Sequence, residues 1–143
     1  MRVLALDLGS RRIGVAVSDA SGTLASPRLV LQRAATRHAD HQAVAELVAE
    51  VGAERVVVGL PLSLDGGSGP AVRLVLAEVD ELQARLPVPV ECHDERFTTV
   101  SAHGALAAAG MGGPARRKVV DKAAAAVLLQ SWLDQRRGRE EAG

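Results

Sequence analysis

Three apolar segments with the length of strands fill the first part of the chain, at residues 1–8, 12–19 and 23–32. The turn signals Gly9-Ser10 and Ser21-Gly22 separate them. Short turns between successive strands predict an antiparallel meander. Because Pro27 has no backbone N–H, we expect the third strand to lie at an edge of the sheet or to carry a bulge.

Helical periodicity begins near residue 37. Further elements are predicted as helices over 37–51, 70–86, 98–109 and 118–137, strands over 54–60 and 88–92, and a loop over 110–114. Gly52 is a suitable helix stop, and Pro70 a suitable first-turn residue. Strands that alternate with helices favour parallel pairing. The order βββαβαβαα predicts one α/β domain with a five-stranded mixed sheet flanked by helices.

The composition narrows the class of protein. With 48% hydrophobic and 24% charged residues, the chain can bury a core and is not disordered. It contains one Phe, one Trp and no Tyr, so it lacks the aromatic platforms on which single-strand binders stack bases. The zero net charge argues against a general nucleic-acid coating protein. Basic residues are nevertheless clustered, at residues 11–12, 116–118 and 136–139, and each cluster could equally be a solvated face.

Cysteine usage and hydropathy indicate the compartment. Cys92 is the only cysteine, so no internal disulfide can form, and we expect it to lie in a strand as a small apolar residue. We find no signal-peptide pattern and no apolar run of roughly 20 residues. We therefore expect a soluble cytoplasmic protein that does not enter a membrane.

Acidic residues stand at three positions where a sheet and a helix could bring them together: Asp7 near the end of the first strand, Asp94-Glu95 after the fifth, and Asp121 at the head of the last helix. Singly, each has a simpler interpretation, as a turn carboxylate, a loop ion pair with Arg96, or a favourable charge at a helix start. Together they could converge at one edge of the sheet. Converging carboxylates repel one another and need a cation, and oxygen ligands favour Mg²⁺ or Mn²⁺.

Four ordered motifs resemble those of the YqgF/RuvX family and span nearly the whole chain. They are DLGSRRIGVAVSD from Asp7, VGLP from Val58 followed by Asp65-Gly66, DERFTT from Asp94, and VDKAAA from Val120 with Leu128-Leu129-Gln130. Any one of them would be a weak signal. Their order and coverage make the resemblance specific.

The resemblance implies a ribonuclease H-like nuclease domain over residues 1–138, with residues 139–143 as a flexible tail. By position, it implies that Asp7, Glu95 and Asp121 are the catalytic acids and the ligands of Mg²⁺ or Mn²⁺. The family is linked to maturation of the 5′ end of 16S ribosomal RNA and is named for a likeness to Holliday-junction resolvases. We therefore expect a nucleic-acid partner, with RNA favoured over branched DNA.

Basic residues near these motifs are candidates for substrate binding. Arg96 could neutralise a phosphate oxygen or simply hold its loop in place. The others would contact flanking phosphates independently of sequence: Arg11, Arg12, Arg116, Arg117 and Lys118. The chain departs from related resolvases at Ala124, where they commonly place a fourth ligand, and Asp94 or His93 could take that role.

Two rival functions remain at this stage. A nucleotide-handling protein of the actin and sugar-kinase type also begins with Asp-x-Gly in a hairpin, but it needs two domains, and 143 residues supply one. A non-catalytic RNA-binding assembly factor would suit the zero net charge and scarce aromatics, and metal-dependent turnover would exclude it. A homodimer also stays open, because a junction resolvase must nick two strands symmetrically.

Overall fold

The computed structural model describes residues 1–61, 69–94 and 113–142, with the side chains of the last segment described from 123 to 139. The elements in these ranges are β1 (Val3–Leu8), β2 (Arg12–Ser18), β3 (Ala25–Gln32), α1 (Arg37–Val51), β4 (Arg55–Leu60), α2 (Pro70–Arg85), β5 (Val90–Asp94) and α3 (Gly113–Ala142). The predicted helix over 98–109 lies outside the described residues.

The strands form one five-stranded sheet in the order β3-β2-β1-β4-β5. β1 pairs antiparallel with β2, and β2 with β3, as the short turns predicted. β4 pairs parallel with both β1 and β5. The carboxyl ends of β1, β4 and β5 therefore lie at the same edge of the sheet, where open α/β sheets place their ligand sites.

Pro27 behaves as its missing N–H predicted. β3 is an edge strand, and its pairing with β2 shifts register between Val15 and Ala16, which lie opposite Leu29 and Pro27. Both expectations, the edge and the bulge, are confirmed.

The predicted bounds of β5 were wrong by two residues. The strand spans Val90–Asp94, whereas the sequence pattern indicated 88–92. Pro89 has no N–H to donate to a ladder, although its carbonyl accepts a bond from Val56 N at 2.9 Å. At the other end, pairing with β4 continues to Leu60 and Asp94. His93 and Asp94 therefore lie within β5 rather than after it.

The helix ends follow local rules. Thr36 caps α1 by accepting a bond from Ala39 N, and Gly52 ends it at φ 68°, the left-handed conformation that favours glycine. Pro70 lies in the first turn of α2, as predicted. The loop predicted to reach residue 114 was wrong, because α3 begins at Gly113 and includes Pro114, which a first helical turn accommodates. Since α3 continues to Ala142, the division into a domain and a tail at residue 138 stays a prediction.

The sheet buries an apolar cluster on each face. One, against α1 and α2, includes Leu4, Leu6 and Val58. The other, against α3, includes Val3, Ala5, Val57 and the α3 residues Ala125, Leu128, Leu129, Trp132 and Leu133. Alternate residues of β1 thus serve opposite faces, which fixes the face of every later position in the strand.

The expected strand position of Cys92 is confirmed. Cys92 lies half-buried in β5 with a free thiol, whose pKa is raised by burial. Across the described ranges, none of the helices is long and apolar enough to cross a bilayer.

Candidate active site

The residues next to Asp7 on the two neighbouring strands are unusual for a strand interior. Asp7 follows Val3 and Ala5 on the face of β1 that packs against α3, and it is half-buried. On β2 it pairs with Gly14. On β4, the register that pairs Leu6 with Val58 puts Asp7 level with Gly59. The residues level with Asp7 on both neighbouring strands are therefore glycines.

This arrangement fits a divalent cation. A carboxylate at the end of an apolar row is costly to bury unless it is paired, hydrogen-bonded or bound to an ion. The carboxylate of Asp7 is an oxygen donor of the kind that hard cations prefer. Of the three predicted ligands, Asp7 is the one whose side chain is described. Within the described ranges, no group of three His, Cys, Asp or Glu side chains forms a metal cluster.

A tight turn joins Asp7 to β2. Gly9 N donates to the carbonyl of Arg12 at 2.9 Å. A Cβ on Gly9 would lie 2.7 Å from that same carbonyl oxygen, closer than real Cβ contacts come. The turn therefore requires glycine at this position, two residues after Asp7.

Gly9→Ala should lower kcat/KM for metal-dependent cleavage by roughly 10- to 100-fold, because the backbone must shift and an error of about 1 Å at a reacting group has that order of effect. Gly138→Ala is the matched control, since a Cβ there meets nothing within 4 Å. Initial rates and thermal melts of both variants provide the measurement. A Gly9→Ala protein with the wild-type rate would show that the turn does not position Asp7.

Arg33 holds the turn from the side of α1 and α2. Its Nε donates to the carbonyl of Gly9 at 2.9 Å, and its backbone N donates to the carbonyl of Arg11 at 2.9 Å. Its Nη1 and Nη2 donate to both carboxylate oxygens of Glu78, at 2.6 and 2.9 Å. Nη1 also donates to Asp40 Oδ2 at 3.1 Å. One guanidinium thus connects the turn after β1 to both helices.

The carboxylates around Arg33 are buried and further hydrogen-bonded. Asp40 Oδ1 accepts from Ala34 N at 2.6 Å, and Glu78 Oε2 lies 2.8 Å from His41 Nε2. Side-chain exposure is 16% for Arg33, 5% for Asp40 and 7% for Glu78. We name Arg33, Asp40, His41 and Glu78 the Arg33 network.

The network perturbs the pKa of its members. Burial alone raises the pKa of Glu78, but the hydrogen bonds from Arg33 and His41 outweigh it and hold that pKa below its ordinary value. The hydrogen bond to Glu78 raises the pKa of Arg33. At neutral pH the Glu78 carboxylate therefore stays charged beside the Arg33 guanidinium.

A cavity of about 630 Å³ opens beside the turn. Its wall includes Asp7, Gly9 and Ser10 from the edge of the sheet, together with Arg33 and Leu74. The cavity therefore lies at the carboxyl edge of the sheet, between the turn that follows Asp7 and α2.

The alternation of β5 separates the two residues considered as a fourth ligand. Val58 and Cys92 pair in register, and Gly59 pairs with His93. His93 therefore shares the α3 face with Asp7, whereas Asp94 lies on the opposite face. His93 Nε2 lies 3.0 Å from Ser131 Oγ of α3, and burial lowers the pKa of its imidazole. The geometry thus favours His93 over Asp94 as a neighbour of the acidic site.

The remaining predicted site residues are described only in part. Glu95 and Arg96 lie outside the described residues. The backbone positions of Arg116, Arg117, Lys118 and Asp121 belong to α3. Asp121 precedes by one turn Ala125, which packs on the sheet. Arg11 is exposed in the turn, and Arg12 is half-buried at the start of β2.

The sequence analysis missed the Arg33 network. A signal was present on α1, because Asp40 and His41 precede the buried Val44 by four and three positions and so share its face. Glu78 likewise falls between the buried Val75 and Val79 of α2. Charged residues on apolar stripes indicate buried partners, although the stripe does not say which ones.

The protein has a ribonuclease H-like fold. Its features are the strand order, one sheet face that packs against α3, and a carboxylate at the carboxyl edge of that face. Two solved structures share this fold over 96% of this chain. One is "Thermus thermophilus RuvC structure", with a TM-score of 0.56 and 18% sequence identity, of which 97% is covered. The other is "T. thermophilus RuvC in complex with Holliday junction substrate", with a TM-score of 0.58 and 19% sequence identity, of which 96% is covered. Identities this low show the fold alone.

The chain belongs to the RuvX family, whose model, described as "Holliday junction resolvase", matches residues 1–135. A relative from Desulforudis audaxviator named "Putative pre-16S rRNA nuclease" is 44% identical over 137 residues, which cover 96% of each chain. One of the same name from Kineococcus radiotolerans is 49% identical over 138 residues, covering 94% of this chain and 72% of that protein.

Proposed function

We propose that this protein is a divalent-metal-dependent nuclease that hydrolyses phosphodiester bonds in RNA. The observation that carries the proposal is the placement of Asp7 between Gly14 and Gly59 at the carboxyl edge of the sheet, in a chain of the RuvX family. A carboxylate at the end of an apolar row, at the sheet edge where open α/β sheets place their ligands, suits a bound cation.

Asp7, Glu95 and Asp121 would hold the ion, Mg²⁺ or Mn²⁺. When bound, such an ion makes a coordinated water acidic enough to supply hydroxide at neutral pH and neutralises phosphate oxygens. Asp7 contributes a ligand whose position is fixed by the central strand and the Gly9 turn. Arg33 contributes by holding that turn through the Gly9 carbonyl.

The basic residues would bind substrate on either side of the acids. Arg11 and Arg12 lie in and after the Gly9 turn, next to Asp7. Arg96 and the run of Arg116, Arg117 and Lys118 lie next to Glu95 and Asp121 in sequence. Contacts of this kind go to phosphates and carry no base preference.

We favour the precursor of 16S ribosomal RNA as substrate, acted on in the cytoplasm. Curated relatives at 44–49% identity carry that activity in their names over most of this chain. The family description instead names Holliday-junction resolution, which would call for a homodimer that presents two sites to one junction. Cleavage of either substrate requires the same metal chemistry. Rates measured under the same conditions can therefore show which substrate is preferred.

The experiment compares initial cleavage rates on a 5′-extended 16S precursor RNA, an unstructured RNA of equal length and a four-way DNA junction. Each is measured with Mg²⁺, with Mn²⁺ and with EDTA. We expect cleavage with either ion, none with EDTA, and the highest kcat/KM on the precursor RNA. A higher kcat/KM on the junction would indicate a Holliday-junction resolvase instead. Binding of every substrate without metal-dependent cleavage would favour an assembly factor.

A further inference from the structure

A second cavity, of about 500 Å³, lies on the α3 side of β4 and β5, away from the Gly9 turn. Arg55 and Glu91 contribute to its wall from the sheet, and Trp132, Arg136 and Arg139 from α3. His93 lines the end of it that is closest to the carboxyl edge of the sheet. We name it the arginine cavity.

Trp132 fixes the positions of two of the arginines. The guanidinium carbon of Arg55 lies 5.9 Å from the centre of the Trp132 ring, and that of Arg136 lies 5.6 Å from it. Contacts of this geometry are attractive and orient the cation without using its N–H groups. A guanidinium held over the ring can still donate in its own plane, as Arg136 Nη1 does to Met1 Sδ at 3.6 Å.

The described wall of the cavity carries a positive charge, although the whole chain is neutral. Among the residues whose side chains are described, it has three arginines and one carboxylate, Glu91, which lies 3.4 Å from Arg55 Nη1. Among the described residues, Arg55 Nε is the buried side-chain polar atom that lacks a hydrogen-bond partner. A site with excess positive charge and a spare buried donor favours an anion and excludes a metal cation.

The arginine cavity shares the α3 face with the acidic site. His93 pairs with Gly59, which is level with Asp7. Asp7 and His93 are thus two strand spacings apart, about 10 Å, on the same face. His93 is thus the cavity residue level with Asp7, whereas Arg55 lies four residues before Gly59 on β4, about 13 Å along the strand.

We propose that the arginine cavity binds a backbone phosphate of the nucleic-acid substrate, at a nucleotide beyond the bond that is cleaved. The inference rests on the proposed nuclease function. Guanidinium forks match phosphate oxygens in a bidentate manner. Trp132 is 6% exposed, so its ring does not offer a face on which a base could stack. The cavity therefore recognises the backbone and not the sequence.

Trp132 also provides a direct measurement, because it is the only tryptophan and the chain has no tyrosine. We would titrate the Asp7→Asn protein with a short single-stranded RNA and record tryptophan emission. Binding in the arginine cavity should change that emission along the same isotherm as an anisotropy signal from labelled RNA. Emission that stays constant while anisotropy saturates would overturn the proposal.

Charge-removing variants test the same site. Arg139→Gln and Arg136→Gln should each weaken RNA binding by roughly 5- to 10-fold and lower the slope of log K against log salt by about 0.7, as expected when one single-strand phosphate contact is lost. Arg137→Gln is the matched control, because Arg137 lies between them in the same helix but donates to Asp134 at 2.5 Å and does not line the cavity. It should change neither quantity.

The outcomes separate this inference from the proposed function. In the otherwise native protein, Arg139→Gln should raise KM with kcat within twofold. Cleavage with equal KM in Arg139→Gln and Arg137→Gln would overturn the phosphate site and leave the nuclease intact. Saturable emission changes, together with no cleavage of any substrate by the native protein, would support the site and count against the nuclease. Thermal melts check that each variant is folded. Because Arg139 is exposed, Arg139→Gln should disturb the core least.

Discussion

Asp7→Asn should reduce kcat/KM for metal-dependent cleavage by at least about 10³-fold and leave the melting temperature equal or higher. The exchange keeps the shape of the side chain and removes the charge that holds the cation. A bound ion contributes several kcal/mol to the stabilisation of the transition state, and 1.36 kcal/mol is a factor of ten in rate. Without the ion, the carboxylates proposed to converge there repel one another, so removing one of them does not destabilise the fold.

Asp94→Asn is the matched control for this prediction. Asp94 also lies half-buried at the end of a parallel strand, two strands away, but the alternation of β5 puts it on the opposite face from Asp7. We expect less than a tenfold loss of kcat/KM for Asp94→Asn, with initial rates measured at saturating Mg²⁺ or Mn²⁺. Equal losses in the two variants would show that the acidic site does not follow the α3 face of the sheet.

Arg33→Met should lower the free energy of unfolding at neutral pH by about 3–5 kcal/mol. Methionine fills a similar volume but leaves the buried carboxyl groups of Glu78 and Asp40 without their shared cation. It also removes the donor to the Gly9 carbonyl, so kcat/KM should fall together with stability. Urea unfolding and cleavage rates at a temperature well below the transition measure the two effects separately.

An exposed ion pair provides the comparison. Arg28 Nη2 lies 3.0 Å from Glu50 Oε1, and the exposed fraction is 39% for the Arg28 side chain and 62% for the Glu50 side chain. Arg28→Met should therefore change the free energy of unfolding by less than about 1 kcal/mol. In Arg33→Met with Glu78→Met, the uncompensated charge of Glu78 is gone, and stability should recover in part. A double variant as unstable as the sum of the single variants would show that Arg33 and Glu78 are not energetically coupled.

The same network predicts a pH dependence with a definite sign. Because the pKa of Glu78 is lower in the folded protein than in the unfolded chain, its stabilising effect is complete above about pH 4.3, the ordinary value for a glutamate. It is lost as pH falls through the lowered folded pKa. In Arg33→Met, burial then dominates and raises that pKa, so the deficit of the variant should be largest at neutral pH and shrink in acid. A deficit that grew in acid would contradict this assignment.

Local signals in the sequence were sufficient for most elements of the fold. Gly52 ends α1, Pro70 opens α2, and Pro27 marks an edge with a bulge, because each residue acts through its own backbone. The strand alternation likewise placed Asp7 at the end of an apolar row. The start of β5 was misjudged because Val88 is apolar but stands between two prolines.

The Arg33 network and the arginine cavity could not be predicted in the same way. Arg33 and Glu78 are 45 residues apart, and their pairing depends on how the segment that follows β3 meets α1 and α2. Arg55 and Trp132 meet only because β4 lies beneath α3. Periodicity tells which face a residue occupies, whereas its partner across the core is set by the tertiary fold. The three acids were placed by resemblance, and for Glu95 and Asp121 their roles stay predictions.

The cluster beneath α3 has a consequence for the order of events during synthesis. It joins Val3, Ala5 and Ala16, from the beginning of the chain, to residues 125–133, near its end. The meander and the α1–α2 face can form on an emerging chain, since domains tend to fold from the amino terminus. The other face of the sheet, which carries Asp7, stays uncovered until α3 has been made. On the proposed function, a growing chain therefore has no nuclease activity, and RNA near the translating ribosome is not exposed to a half-built enzyme.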